Sequence, residues 1–222
     1  MSKTETSTMQ TTVIYNDDKT HRYLLRKEWD EDLPEAMVLM LSPSVADTVS
    51  VDRTTMLVLE NLERLHYGKV SIVNLFSTLN GKRTENELDD ENLVYIKKAA
   101  ERAEGIIYAV GTGGDGNKAV LKQQYNVLNL LEPWKAKMQC IADRNGKKFY
   151  HPLCPTVHHW RLERFDYGEL KAFTMEQAPK SPSDFIAVGE TETFTETPEP
   201  QEEATPKKRK RNKRHDPDRQ NC

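Results

Sequence analysis

Long hydrophobic runs are missing from this 222-residue chain. The longest run of large apolar residues, positions 37–41, is five residues, far below the ~20 needed to cross a bilayer. Cysteine is scarce: Cys140, Cys154 and Cys222, none in a C-x-x-C pair. That leaves neither a disulfide framework nor a thiolate metal site to expect. The first 20 residues are polar, so no secretory signal is expected. The expected setting is intracellular with reduced thiols: the cytoplasm, or the nucleus if the host cell is eukaryotic. Apolar residues make up only 36 % of the chain, so part of it is expected not to fold.

That part is legible. Residues 1–11 are rich in Ser and Thr and are expected to be irregular, and composition shifts again near residue 178. Beyond it Pro, Ser, Thr and Glu dominate and large apolar residues nearly vanish, too few to offset chain entropy. The expected organisation is a domain over 12–178 and a disordered tail over 179–222. The tail is acidic first, with five glutamates in 191–205, and then strongly basic. Lys207, Lys208, Arg209, Lys210, Arg211, Lys213 and Arg214 put seven positive charges into eight residues. The formal net charge is −3, so the rest of the chain carries −10. A basic cluster on an acidic body suits anchoring to nucleic acid by counterion release. A nuclear-import signal, or a solvated tail neutralising its own acidic half, would read the same way.

Inside the domain, residues 36–41, 69–76, 105–110 and 137–142 are apolar runs of strand length. Between them, 53–66, 90–103 and 117–131 have helical spacing, with Asp52 as a candidate cap of the first. Residues 21–29 and 157–165 read as edge strands. The predicted fold is α/β: a doubly wound, mostly parallel sheet of about four core strands with helices on both faces. Ligands of such sheets bind beyond the carboxyl ends of the strands.

Four loops fall at such ends. The first is Leu41-Ser42-Pro43-Ser44-Val45-Ala46-Asp47, followed by Asp52-Arg53-Thr54. Its hydroxyls and Asp47 suit a water or an anion, while the plain reading is a polar turn and a helix cap. The second holds Asn74 and Phe76. A carboxamide presents a donor and an acceptor together, which suits a base edge, and Phe76 suits stacking; a turn-closing Asn and a core Phe are the plain readings. The third, Val110-Gly111-Thr112-Gly113-Gly114-Asp115-Gly116, can offer amides to phosphate, or is simply a flexible connection. It is no Walker loop, because no Gly-Lys-Ser/Thr follows. The fourth is His151-Pro152-Leu153-Cys154-Pro155, a histidine braced by proline that can steady an anion or carry a proton. His158 and His159 are adjacent; on a strand they would face opposite ways, so no metal site is expected. No motif implies a cofactor.

Taken in order, these segments resemble a bacterial and phage family of small proteins of unknown function. Its members carry L-N-P-S-x-A-D, D-x-T, N-L-F, W-G and H-P-L. Here those stand as residues 41–47, Asp52-Arg53-Thr54, Asn74-Leu75-Phe76, Val110-Gly111 and His151-Pro152-Leu153, over about residues 22–154. More remotely the order is similar to the uracil-DNA glycosylase superfamily. That resemblance implies Ser42 at the water-positioning site, Asn74 at the base-reading site and His151 steadying the departing base. Three positions depart from the patterns: Ser42 replaces Asn, Val110 replaces Trp, and Leu153 replaces the Ser of H-P-S. The first leaves Asp47 or Asp52 to hold water instead, or a fold without hydrolysis.

The expected function is therefore a DNA glycosylase-like enzyme excising a base, modified or not, with phage–host conflict as a setting that such an enzyme would suit. Catalysis falls to Asp47, His151 and Ser42, and binding to Ser44, Asn74, Phe76, Gly111 and Asp52. Two rivals use the same loops: a non-catalytic nucleic-acid- or nucleotide-binding protein, acting as inhibitor or decoy, and an enzyme of free nucleosides or nucleotides. DNA is the expected partner, with no membrane.

Overall fold

The computed structural model describes residues 2–44, 46–79, 83–84, 89–111 and 116–177. The chain runs β1 (Gln10–Tyr15), β2 (Arg22–Glu28), β3 (Glu35–Met40), α1 (Arg53–Arg64), β4 (Lys69–Asn74), α2 (Asp90–Arg102) and β5 (Gly105–Tyr108). It continues with α3 (Lys118–Leu131), a 3-10 turn (Glu132–Lys137), β6 (Met138–Ala142), a second 3-10 turn (Pro155–Val157), β7 (Arg161–Arg164) and α4 (Tyr167–Gln177). Seven strands form one mixed sheet in the order β1-β2-β4-β3-β5-β6-β7.

The four expected core strands are β4, β3, β5 and β6, and they are parallel. All of β3 and β5 and nearly all of β4 are buried, because helices cover both faces. Met37 and Leu39 pack with Ile106, Ile96 of α2 and Val120, Val127 and Leu128 of α3. Val38 and Met40, one residue out of phase, pack with Ile107, Ile141 and Val58 and Leu62 of α1. Alternation within an all-apolar run thus divides one strand between two cores.

The sheet is larger than the expected four strands, since three antiparallel ones extend it. β1 pairs with β2, β2 with β4, and β7 with β6. Their sequences, QTTVIY, RYLLRKE and RLER, mix polar and apolar residues, so they lack the continuous signature of a central strand. Residues 21–29 were expected at an edge, but β2 is interior because β1 covers it. β1 begins at Gln10, inside the stretch 1–11 expected to be irregular. Residues 178–222, which include the expected tail over 179–222, lie outside the described residues.

α4 has no counterpart in the sequence expectations, because its apolar residues do not share one face. It is held by tertiary bonds instead. The Tyr167 hydroxyl donates to Leu128 O, Asp166 Oδ1 caps Glu169 N at 3.0 Å, and Lys171 pairs with Glu132 at 2.7 Å.

The chain reverses its direction of travel across the sheet at β3. β4 lies on one side of β3 and β5 on the other, so the loops after β3 and β5 diverge and leave a crevice. Beyond β4, Leu75 N and Phe76 N donate to Met40 O and Leu41 O at 2.9 and 3.1 Å. Asn92 Nδ2 of α2 donates to Asn74 O and Leu75 O at 2.9 and 3.3 Å, and Gln123 Nε2 of α3 to Leu75 O at 2.9 Å. Asn92 is buried, so Asn92→Ala leaves Asn74 O without that donor. We expect a loss of about 1–3 kcal/mol in urea unfolding; an unchanged midpoint would refute this role.

Candidate functional site: a cationic crevice at the strand ends

β3 delivers Ser42, Pro43 and Ser44 to the crevice, and Arg22 of β2 fixes their path. Its guanidinium is 1 % exposed. Nη1 donates to Ser44 O at 3.1 Å and Ala46 O at 2.7 Å, and Nη2 reaches Asn74 Oδ1 at 3.5 Å. One side chain thus ties the first loop to the end of β4. Asp52 lies close enough to Arg22 for their charges to interact. Burial pushes the Asp52 carboxyl up, but the Ser44 hydroxyl, the Thr55 amide and hydroxyl and Arg22 outweigh it, holding it below the ordinary carboxylate range. Asp52 also caps α1, accepting from Thr55 N at 2.7 Å. The expected cap is present.

β5 delivers Val110 and Gly111. Gly111 has φ +71°, and a Cβ built on it would stand 2.8 Å from His151 Cβ. Glycine is required there twice over, for the left-handed backbone and for the close approach. His151 follows a turn after β6, in which Asp143 accepts from Asn145 N, Lys147 N and the Tyr150 hydroxyl at 2.8, 2.9 and 2.9 Å. Cys154 N then donates to His151 O at 2.9 Å, closing the His-Pro turn. Leu153 N donates to His151 Nδ1 at 3.2 Å. An accepting Nδ1 puts the proton of the neutral ring on Nε2. Burial lowers the His151 pKa from its ordinary 6.5, which favours that neutral donor.

Ser42, Pro43, Val110, His151 and Cys154 line one cavity of about 460 Å³, together with Leu41, Arg83, Lys147, Lys148, Phe149 and Tyr150. Among the described residues, three cations and no carboxylate border it. Arg83 Nε donates to Ser42 Oγ at 3.3 Å, Lys148 Nζ to Arg164 O at 2.9 Å, and Lys147 Nζ sits 5.8 Å from the centre of the Tyr150 ring. Phe149 has φ +66°, a conformation that costs a bulky residue about 1–3 kcal/mol. Its ring packs edge-on at 6.0 Å from Tyr108 and 5.3 Å from Phe165.

Of the expected site residues, Ser42 and His151 share this cavity. Asp47 does not border it. Its Oδ1 accepts from Val49 N and Ser50 N at 2.8 and 2.7 Å, and those amides hold its pKa below the ordinary value. Asp52 and Ser44 stand behind it, on Arg22. Asn74 and Phe76 are 1 % and 2 % exposed and do not border it; the continued pairing of 75–76 with 40–41 turns them into the interior. Gly111 borders a neighbouring, more apolar cavity of about 340 Å³ that shares Lys148 and Phe149. Residues 112–115 lie outside the described residues. Sequence reasoning missed Arg83, Lys147, Lys148, Phe149 and Tyr150. The signal available was a Lys-Lys-aromatic-aromatic run between a turn and His-Pro. His158 and His159 are exposed in a bend before β7 rather than on a strand. Among the described residues no cluster could hold a metal ion, and no helix is long and apolar enough to cross a membrane.

A family model described as "Protein of unknown function (DUF1643)" matches residues 22–153. The chain belongs to that family. The matched stretch begins at Arg22 and includes all the residues bordering the cavity except Cys154. No curated protein and no solved structure matches the chain.

Two outcomes follow from this geometry. Arg22→Met strips donors from Ser44 O and Ala46 O and removes the charge beside Asp52. We expect about 3 kcal/mol or more of destabilisation by urea unfolding; a loss under about 1 kcal/mol would show that the loop is held otherwise. Secondly, a depressed histidine pKa means that the unfolded chain binds the proton first as pH falls. Stability linked to His151 is complete above about pH 6.5 and is lost below it. His151→Gln should flatten that part of the stability–pH curve, and imidazole NMR titration should find His151 titrating below the ordinary value.

Proposed function

We propose that this protein recognises a nucleotide unit of a nucleic acid in the cationic cavity and releases its base by hydrolysis of the N-glycosidic bond. One observation carries the reading. Among the described residues, a cavity at the sheet's switch point combines three cations, a histidine whose Nδ1 accepts a hydrogen bond and so leaves the proton of the neutral ring on Nε2, and no carboxylate. Such a lining attracts an anionic ligand and offers a hydrogen bond to charge that develops as a bond breaks.

In the proposed reaction the base is turned out of the stack into the cavity, where Phe149 or Tyr150 takes the stacking role expected of Phe76. The C1′–N bond breaks and both electrons leave with the base. His151 Nε2–H donates to that anion. A water held by Ser42 Oγ adds to C1′, and its proton goes to the departing base. Asn74 and Asp52 act one layer behind, through Arg22, by holding the loop that carries Ser42. The basic tail, Lys207 to Arg214, raises the local concentration of DNA. The similarity of motif order to uracil-DNA glycosylases supports this reading as analogy.

A second reading has its own support. Asp47 and Asp52, the candidates to activate water, are engaged by backbone amides away from the cavity. A protein that binds the nucleotide without turnover would need neither. One assay separates the two. Purified protein is incubated with plain, uracil-containing and hypermodified DNA, and free bases and abasic sites are measured by mass spectrometry. Excision predicts release from at least one substrate, reduced about 100-fold or more by His151→Ala. Tight binding with no release would establish the second reading.

A further inference from the structure

A second cavity, of about 620 Å³, lies beyond the ends of β6 and α1. Among the described residues, Arg64, Arg144, Arg161, His158 and His159 border it, with one carboxylate, Asp143. That carboxylate is already engaged by two amides and the Tyr150 hydroxyl. The cations are less well compensated. Arg64 donates to Trp160 O at 2.7 Å and Asn61 Oδ1 at 3.1 Å, both uncharged. Among the described residues Arg144 has no ion pair and Arg161 pairs with Glu163 alone, at 3.3 Å. Trp160 also borders the cavity. It is 2 % exposed, and its indole N–H has no acceptor among the described residues. Guanidinium charge with little carboxylate beside it among the described residues suits an anionic ligand.

One bonded pair of side chains links the linings of the two cavities. Tyr150 borders the first and Asp143 the second, and these two side chains are bonded at 2.9 Å. A polymer with a phosphate at every nucleotide can occupy both. We infer that the second cavity binds phosphodiester groups of the strand whose nucleotide enters the first, an inference that rests on the proposed function. Phosphate contacts of this kind set position and register while the neighbouring cavity reads the unit presented to it.

The test uses the full chain and a fluorescent strand of about 12 abasic units, which has backbone charge and no base to read. Anisotropy is followed between about 50 and 200 mM salt. Arg144 and Arg161 are exposed, so Arg144→Gln/Arg161→Gln should fold. The double variant should bind about tenfold more weakly, with a salt slope smaller by about 1.4, two single-strand phosphate contacts. An unchanged slope in the double variant, or no binding by the wild type, overturns the inference. Complete displacement by inorganic phosphate at matched ionic strength also overturns it, in favour of a free-anion site. Arginine-dependent binding of the abasic strand without base release from any DNA would instead sink the excision reading and leave the backbone site standing.

Discussion

The buried guanidinium of Arg22 is the interaction on which the site depends. It comes from a strand outside the parallel core, yet it holds the loop after β3 by two carbonyls and the end of β4 by a carboxamide. A buried cation is tolerable only where acceptors and a countercharge surround it, and Asp52 supplies that charge from the start of α1. The first helix, two core strands and the Ser42 loop therefore share one electrostatic centre. The β1–β2 hairpin, which looks peripheral in the sequence, supports the candidate site because it brings this residue in.

A second constraint acts on the other side of the crevice. Gly111 and His151 approach so closely that no side chain fits at position 111. The loop after β5 thus serves as a backing surface for the His-Pro turn. Asn61 of α1 supports the segment beyond that turn, donating to His158 O at 3.0 Å and accepting from Trp160 N at 2.8 Å. His151 is held from several elements at once, as a group must be if a single hydrogen bond from it is to be useful in a reaction.

The two ends of the sheet handle charge differently. At the amino end, Glu35 is buried and closed in by Arg26 at 3.2 Å, Ser71 Oγ at 2.5 Å and Arg102 at 3.6 Å. Each charge there has a partner, which suits a network that serves the fold. At the carboxyl end the cations around the cavities have few carboxylate partners, although the chain outside its basic tail cluster carries −10. That imbalance, among the described residues, is what supports the proposed anionic ligand.

Much of this was determined locally. Continuous apolar runs specify buried parallel strands, helical spacing and Asp52 specify α1, and four loops at strand ends specify where chemistry belongs, because these signals depend only on neighbours in sequence. Membership of Ser42 and His151 in one site followed from the strand-end rule. Tertiary structure decided the rest. β1, β2 and β7 are strands because partners at the sheet margins accept them, and α4 because α3 does. Asn74 and Phe76 look like ligand contacts in sequence, but pairing past the end of β4 turns them inward. Arg83, Lys147 and Lys148 are ordinary surface cations in sequence. Only the convergence of three distant segments makes them the border of one cavity, since charge in a site is a sum over space and a sequence orders residues along one dimension.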